Sequence, residues 1–384
     1  AAQVRAGVDV LVADGCAPLR GQRVGLITNH TGRTSDGRRT VDVLHQAAKV
    51  ELVALFSPEH GWQGVVDKKV GDTVDHATQL KVFSLYGETR RPTKEMLRGV
   101  DTLVFDIQDI GCRFYTYIAT MREAIEAAAE HKVRFMVLDR PNPIGGIAMA
   151  GPIAKRERCD FVAAHTLPLR HGMTTGELAR MMVGEIGIPA ELEVIPCSGW
   201  QRADLWHQTG LTWINPSPNM RRLTQALTYP GIGLIEGTNI SVGRGTDTPF
   251  EILGAPWCDG TRLAGRLNSQ DLPGIAFVPA RFRPTSSKHK DTDCFGVQVL
   301  VTDWRTFQPV RTGIHIAVAL HELFPDAWDT KRLDWLLKHK PTFEAILKSG
   351  HTRIPVYEGS KIWGVSASWV LLAPICSLPC PRQS

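Results

Sequence analysis

A chain of 384 residues with 43% apolar and 22% charged residues has the composition of a folded globular protein, which excludes a disordered, collagen-like or coiled-coil chain. Its formal charge of +5 is scattered over 44 basic and 39 acidic residues without a basic block, which argues against nucleic acid as a partner, and no stretch is apolar for long enough to span a membrane. The length exceeds what one hydrophobic core usually serves, so two domains are expected, residues 1–250 and 251–384.

The first 140 residues repeat one unit, an apolar run of about six residues that stops in a polar cluster. "RVGLITNHTG" ends at Asn29 and His30, and "VELVALFSPEHG" at Glu59 and His60. "DTLVFDIQDIGCRFYTY" ends at Asp106 and Asp109, and "VRFMVLDRPNP" at Asp139, Arg140 and Asn142. Helical patterns lie between them, "TVDVLHQAAK" and the Ala- and Glu-rich "ATMREAIEAAAEH". Strands apolar on both faces and alternating with helices predict an α/β fold: a Rossmann-like open, mainly parallel sheet with helices on both faces. In such a sheet the ligand crevice lies beyond the carboxyl ends of the strands, where all four polar clusters fall. Each cluster has a plainer use as well, since Asp and Asn at strand ends cap helices and shape turns.

Further along, "HGMTTGELARMMVGEIG" predicts a helix starting at Thr174 or Thr175, with Thr174 and Glu177 in capping-box spacing. "GWQRADLWHQTGLTWINPSPNM" reads as a loop with aromatic platforms, in which two of Trp200, Trp206 and Trp213 are expected to pack rather than face a ligand. From about Phe250 a strand pattern, "CFGVQVLVTDW", and helices around "GIHIAVALHELF" and "LDWLLKH" predict a smaller α+β domain.

The chain contains neither the G-x-G-x-x-G of a dinucleotide site nor the G-x-x-x-x-G-K-[ST] of a nucleotide-phosphate loop, and it lacks a G-x-S-x-G elbow. The eight cysteines show no C-x-x-C pair and no ligand spacing with His, so no metal and no other cofactor is expected; their even number permits disulfides without requiring them. What is plentiful is carboxylate, amide, arginine and aromatic side chains, the groups that carbohydrate sites use. The opening "AAQVRAGVDV" fits a mature chain whose leader has been removed, so a secreted or periplasmic location is expected.

Seven blocks, "SPEHG", "SLYGETRRPT", "FDIQDIGCRFYTY", "LDRPNPIGG", "HGMTTGELA", "NPSPNM" and "EGTNISVGRGTDTPFEILGAPW", follow in order from Ser57 to Trp257, within a resemblance that runs from about residue 20 to about residue 350. Together they resemble the exo-acting β-N-acetylmuramidase family, glycoside hydrolases long catalogued as a domain of unknown function. The resemblance implies a Rossmann-like larger domain, a smaller C-terminal domain with the cleft between them, and removal of N-acetylmuramic acid from the non-reducing ends of peptidoglycan fragments. Two departures stand out. Arg221 occupies a position where similar sequences tend to have Pro, and the last thirty or so residues, with Cys376 and Cys380, do not resemble the family's usual ending.

Breaking a β-glycosidic bond requires a proton for the leaving oxygen and stabilisation of an oxocarbenium-like centre, work usually divided between two carboxyl groups. Glu59 is the first candidate, because a carboxyl group at a strand end beside His60 can be held partly desolvated as a general acid. Glu236 ranks next as second carboxylate and Asp106 after it, with Asp109 and Asp139 at neighbouring strand ends; assistance by the substrate's own 2-acetamido group stays open. The lactyl carboxylate of the substrate calls for a guanidinium, and Arg113, Arg140 and Arg244 are the candidates, each with an alternative use in a structural ion pair. Tyr115 and Tyr117 share one face if "RFYTY" is extended. Asn29, His60, Gln108, Asp139, Asn142, Asn219 and Asn239 complete the expected sugar-binding set. Two rivals remain at this stage: a non-catalytic sugar-binding protein, and an amidase or phosphatase using "GRGT" as an anion nest.

Overall fold

The computed structural model describes residues 3–348, apart from 66–68 and 70. A seven-stranded sheet is built from β1 (Arg23–Thr28), β2 (Glu51–Ser57), β3 (Thr73–Val74), β4 (Lys81–Ser84), β5 (Thr102–Asp106), β6 (Arg134–Leu138) and β7 (Leu192–Ile195), in the order β3-β4-β2-β1-β5-β6-β7. Every neighbouring pair is parallel except the short β3, which runs antiparallel to β4 at the edge.

Helices cover both faces, and strand alternation decides which residues meet which helix. Val24, Leu26, Val104, Met136 and Leu138 point to the side where α1 (Gly7–Ala13) and α2 (Thr40–Gln46) bring Val8, Leu11, Val41 and Leu44. Ile27, Phe56, Leu103, Phe105, Phe135 and Val137 point to the other side, against Ile118, Met121 and Ile125 of α3 (Tyr117–Glu130) and Leu178 and Met182 of α4 (Thr175–Ile186). Each of these fully buried side chains contributes about 1.5–3 kcal/mol through apolar area removed from water. The alternation slips once: the partners of β1 skip from Leu52 to Ala54, and the extra residue puts Leu52 and Leu55 on the same face.

The predicted helix at Thr175 is present and capped as the spacing implied. The Glu177 N–H donates to the Thr174 hydroxyl at 3.2 Å, and the Thr174 N–H donates to the Glu177 carboxylate at 3.0 Å. Gly187 ends α4 in the left-handed conformation, φ 74°.

Beyond α5 (Leu223–Ile232) lies a second, three-stranded antiparallel sheet of β8 (Ile252–Ala255), β9 (Ile275–Phe282) and β10 (Cys294–Val301), ordered β8-β10-β9 and joined by α6 (Gly260–Asn268), α7 (Pro309–Leu323), α8 (Leu333–Leu337) and α9 (Lys340–Lys348). This smaller α+β region follows the larger α/β one as expected. The two regions share a continuous apolar cluster running from Phe105 and Ile118 through Tyr229 and Phe250 to Val297 and Leu320. Helix α5 docks on α7 through paired glycines: a Cβ on Gly231 would stand 1.9 Å from the Pro309 carbonyl oxygen, and one on Gly313 would stand 2.3 Å from the Gly231 oxygen.

Among the described residues Cys16, Cys112, Cys159, Cys258 and Cys294 are free thiols. Cys376, Cys380 and the atypical ending lie outside the described residues.

Candidate active site

The parallel strands all deliver their carboxyl ends to one edge of the large sheet, and the loops after β2, β4, β5 and β6 reach the cleft there. The chain turns sharply at Pro58–Gly61, with His60 in the left-handed region at φ 69° and the Gly61 N–H closing the turn on the Pro58 carbonyl at 3.1 Å. That turn leaves Glu59 half-buried at the mouth of a cleft of about 730 Å³, between the sheet edge and the second region. The Thr116 hydroxyl donates to the Glu59 carboxylate and fixes its rotamer. Behind it stand the phenols of Tyr115 and Tyr117, whose pKa values are driven up by burial and, to a lesser degree, by the negative charge of Glu59.

The opposite wall comes from "EGTNISVGRGTDTPFEILGAPW". Glu236 lies in the 3₁₀ segment Gly233–Gly237 that continues α5, and its carboxylate forms an ion pair with Arg244, Nε to Oε1 2.5 Å. The Lys288 ammonium donates to the Glu236 backbone carbonyl; its pKa is lowered by burial, against the pull of the Glu236 charge. Gly243 and Gly245 serve close packing here. A Cβ on Gly243 would meet Ile252 at 2.7 Å, and one on Gly245 would meet the backbone of Ser286 at 2.5 Å. The "GRGT" turn therefore bears against protein on its glycine side, which removes the reason to read it as an anion nest.

The floor between the walls is aromatic. Tyr115 and Tyr229 meet edge to face at 5.9 Å, Tyr229 and Phe250 at 4.6 Å, and the Arg244 guanidinium lies 5.4 Å from the Phe250 ring centre. Burial raises the Tyr229 pKa, and the Glu236 charge adds to that shift, while Glu59 acts on Tyr115. Two carboxylates thus flank one apolar platform, the arrangement that a sugar ring with one apolar face and two reactive flanks requires.

Several sequence candidates lie elsewhere. Asp106 is fully buried and is held by Arg140 through Nε at 2.6 Å and a terminal nitrogen at 3.0 Å, with the Thr40 hydroxyl at 2.5 Å. Neither partner of that pair lines the cleft; Asp106, expected as a catalyst, and Arg140, expected as a carboxylate reader, are placed as a clamp joining β5, β6 and α2. Arg113 also lies away from the cleft. Its two terminal nitrogens donate to the carbonyls of Pro152, Leu167, Leu336 and Leu337 at 2.7–2.9 Å, and burial draws its pKa down to about 10. It stitches α8 to the large region and has no terminal nitrogen left for a ligand.

"RFYTY" is not extended: Tyr117 is the first residue of α3, and its hydroxyl donates to the Pro216 carbonyl and accepts from Asn29 at 3.1 Å. Only Tyr115 of the pair lines the cleft. Asn29 and Asn142 shape their own loops, accepting from the Thr31 N–H at 2.9 Å and the Ile144 N–H at 3.1 Å. Asn239 holds the loop at Ala327 and Asp329 at 2.8 Å each, and Gln108 donates to the carbonyls of Asp109 and Pro141. Asn219 is buried, and neither it nor Asp109 lines the cleft; Asp109 accepts from the Gly111 N–H at 2.7 Å and lies 3.4 Å from His171. Trp200 and Trp206 are buried and Trp213 stacks edge to face on Trp206 at 5.4 Å, so all three tryptophans pack.

Asp139 caps α4, accepting from the Gly176 N–H at 2.7 Å and from the Thr174 hydroxyl at 2.8 Å. Burial nevertheless pushes its carboxyl up to about 6. An unfolded aspartate titrates near 4, so between about pH 4 and pH 6 the native state keeps a proton that the unfolded chain has released, and stability falls as pH rises through that window, by about 3 kcal/mol in all. Asp139→Asn keeps an acceptor for Gly176 and is expected to flatten this part of the profile in urea unfolding; an unchanged slope rejects the assignment.

Comparison with known proteins decides the family. A model described as the N-terminal part of the exo-β-N-acetylmuramidase NamZ matches residues 24–224, and the C-terminal part of the same protein matches residues 227–371. The chain belongs to the NamZ exo-β-N-acetylmuramidase family. It is 44% identical over 369 residues, 96% of its length and 87% of the other's, to the peptidoglycan β-N-acetylmuramidase NamZ of Bacillus subtilis strain 168. Crystal structures of two DUF1343 family proteins of Bacteroides fragilis superpose on it. One has a TM-score of 0.85 at 39% identity, covering 91% of this chain and 92% of that one; the other has a TM-score of 0.71 at 29% identity, covering 90% and 91%.

For a member of the NamZ family, the cleft holds several residues that sequence reasoning passed over: Thr116, Tyr229, Ser286 and Ser287, and the trio Tyr86, Arg90 and Phe161. Tyr86 and Arg90 stand in "SLYGETRRPT", so the resemblance marked their neighbourhood; the serines, on the loop between β9 and β10, carry no signal at all. Arg221, at the position where the family tends to Pro, uses the N–H that a proline lacks to donate to Gln225 at 2.5 Å. The match of the C-terminal model to residue 371 also runs past residue 350, where the sequence resemblance stops.

Proposed function

We propose that this protein is an exo-acting peptidoglycan β-N-acetylmuramidase that releases N-acetylmuramic acid from non-reducing ends. The observation that carries the reading is the pairing, across one aromatic floor, of Glu59 on the sheet edge with the Glu236–Arg244 pair on the facing wall. Glu59, oriented by Thr116, supplies the proton to the leaving oxygen. Glu236 supplies negative charge near the developing oxocarbenium centre, and Tyr115 and Tyr229, backed by the buried Phe250, take the apolar face of the sugar. No step needs a cofactor. Because peptidoglycan lies outside the cytoplasmic membrane, the protein acts in cell-wall degradation as a secreted or periplasmic enzyme.

A chromogenic β-N-acetylmuraminide is the direct test. Release of chromophore together with free N-acetylmuramic acid is the expected result. Absence of release by a protein shown to be folded, by circular dichroism and a cooperative melt, overturns the reading in favour of a non-catalytic sugar-binding protein.

A further inference from the structure

N-acetylmuramic acid differs from N-acetylglucosamine by a 3-O-lactyl ether carrying one carboxylate, so an enzyme selective for it must place an available cation at that carboxylate. Among the described residues only two arginines line the cleft, Arg244 and Arg90. Arg244 already carries an ion pair with Glu236. Arg113 and Arg140 are buried in the backbone and carboxylate contacts given above. From these constraints we infer that Arg90 reads the lactyl carboxylate and sets the preference for muramic acid over glucosamine, an inference that rests on the muramidase reading.

The surroundings of Arg90 fit that task. The side chain is exposed at the cleft, and its guanidinium carbon lies 4.1 Å from the ring centre of Phe161 and 5.6 Å from that of Tyr86. Stacking on aromatic rings fixes the plane of a guanidinium while leaving its in-plane N–H groups free to donate, and two such groups match the two oxygens of a carboxylate. Its sequence neighbour Arg91 is used differently, paired with Glu126 at 3.1 Å and Glu130 at 2.8 Å. Among the described residues Arg90 forms no ion pair; its positive charge reaches Glu123 through the field, where Arg91 makes the closer approach at 3.9 Å. A lysine in its place retains charge but loses both the stacking plane and the fork.

The test measures binding of free N-acetylmuramic acid and free N-acetylglucosamine by calorimetry, together with KM and kcat on the chromogenic muraminide, for wild type, Arg90→Met and Arg90→Lys. Arg90→Met is expected to weaken N-acetylmuramic acid binding and raise KM by roughly 10- to 100-fold, to leave N-acetylglucosamine binding within about twofold, and to keep kcat within about threefold. Arg90→Lys is expected to recover only part of the loss. An unchanged preference in Arg90→Met, or an equal loss for both sugars, overturns the assignment of Arg90. Wild-type protein that binds both sugars equally overturns it as well, whereas wild-type protein that prefers N-acetylmuramic acid but releases none from the chromogenic substrate overturns the muramidase reading alone.

Discussion

Glu59→Gln is expected to lower kcat on a β-N-acetylmuraminide by roughly 10²- to 10⁴-fold, the usual contribution of a positioned general acid. The substitution removes the transferable proton and little else. Glutamine has the same shape, and its carbonyl oxygen accepts the Thr116 hydroxyl as the carboxylate does, so KM and the melting temperature are expected to stay near wild type. Steady-state kinetics beside a thermal melt decide the matter. Activity within threefold of wild type removes Glu59 from the chemistry, and equal losses of activity and stability show that its role is structural.

The largest expected loss of stability comes from Asp106→Asn. Asp106 and Arg140 are both buried, with side-chain exposures of 0% and 6%, and the arginine has this carboxylate as its ion-pair partner. Removing one member of a buried pair strands the other charge in a low-dielectric interior, at a cost of about 3–5 kcal/mol. The same substitution loosens the Thr40 contact that brings the start of α2 onto β5. A fall in melting temperature of roughly 10 °C is expected. The kcat of the remaining folded enzyme, measured well below the transition, is expected to stay within tenfold of wild type. A variant with unchanged melting and abolished turnover returns Asp106 to the catalytic list.

These two carboxylates show how far the chain can be read without its fold. Both stand at the end of an apolar run, in "SPEHG" and in "FDIQD", and local sequence treats them alike. The difference is the partner that arrives from elsewhere: Arg140, 34 residues on, neutralises Asp106, whereas Glu59 meets a threonine 57 residues away and opens onto the cleft. The arginines divide in the same way. In sequence Arg113 stands beside two tyrosines, but α8 brings the Leu336 and Leu337 carbonyls over its head group from more than 220 residues along the chain. The alternation that sets Tyr115 and Tyr117 on one face applies to strands, and the segment turns into the start of a helix.

The sequence alone determined the layering. The apolar runs of β1, β2, β5 and β6, the helices between them, the Thr174–Glu177 capping box and the strand-end placement of the polar clusters are encoded in residues a few positions apart, because hydrophobic periodicity and capping are local physics. It also determined the family, through seven blocks in order. The tertiary structure decided which polar residues are chemistry and which are mortar. Whether a buried carboxylate or guanidinium is available depends on the countercharge or carbonyl that packs against it, and that partner is set by long-range topology. It is also the fold that carries Glu236 and Arg244 across from the start of the second region to face Glu59, and that sets Arg90 on Phe161 at the same cleft.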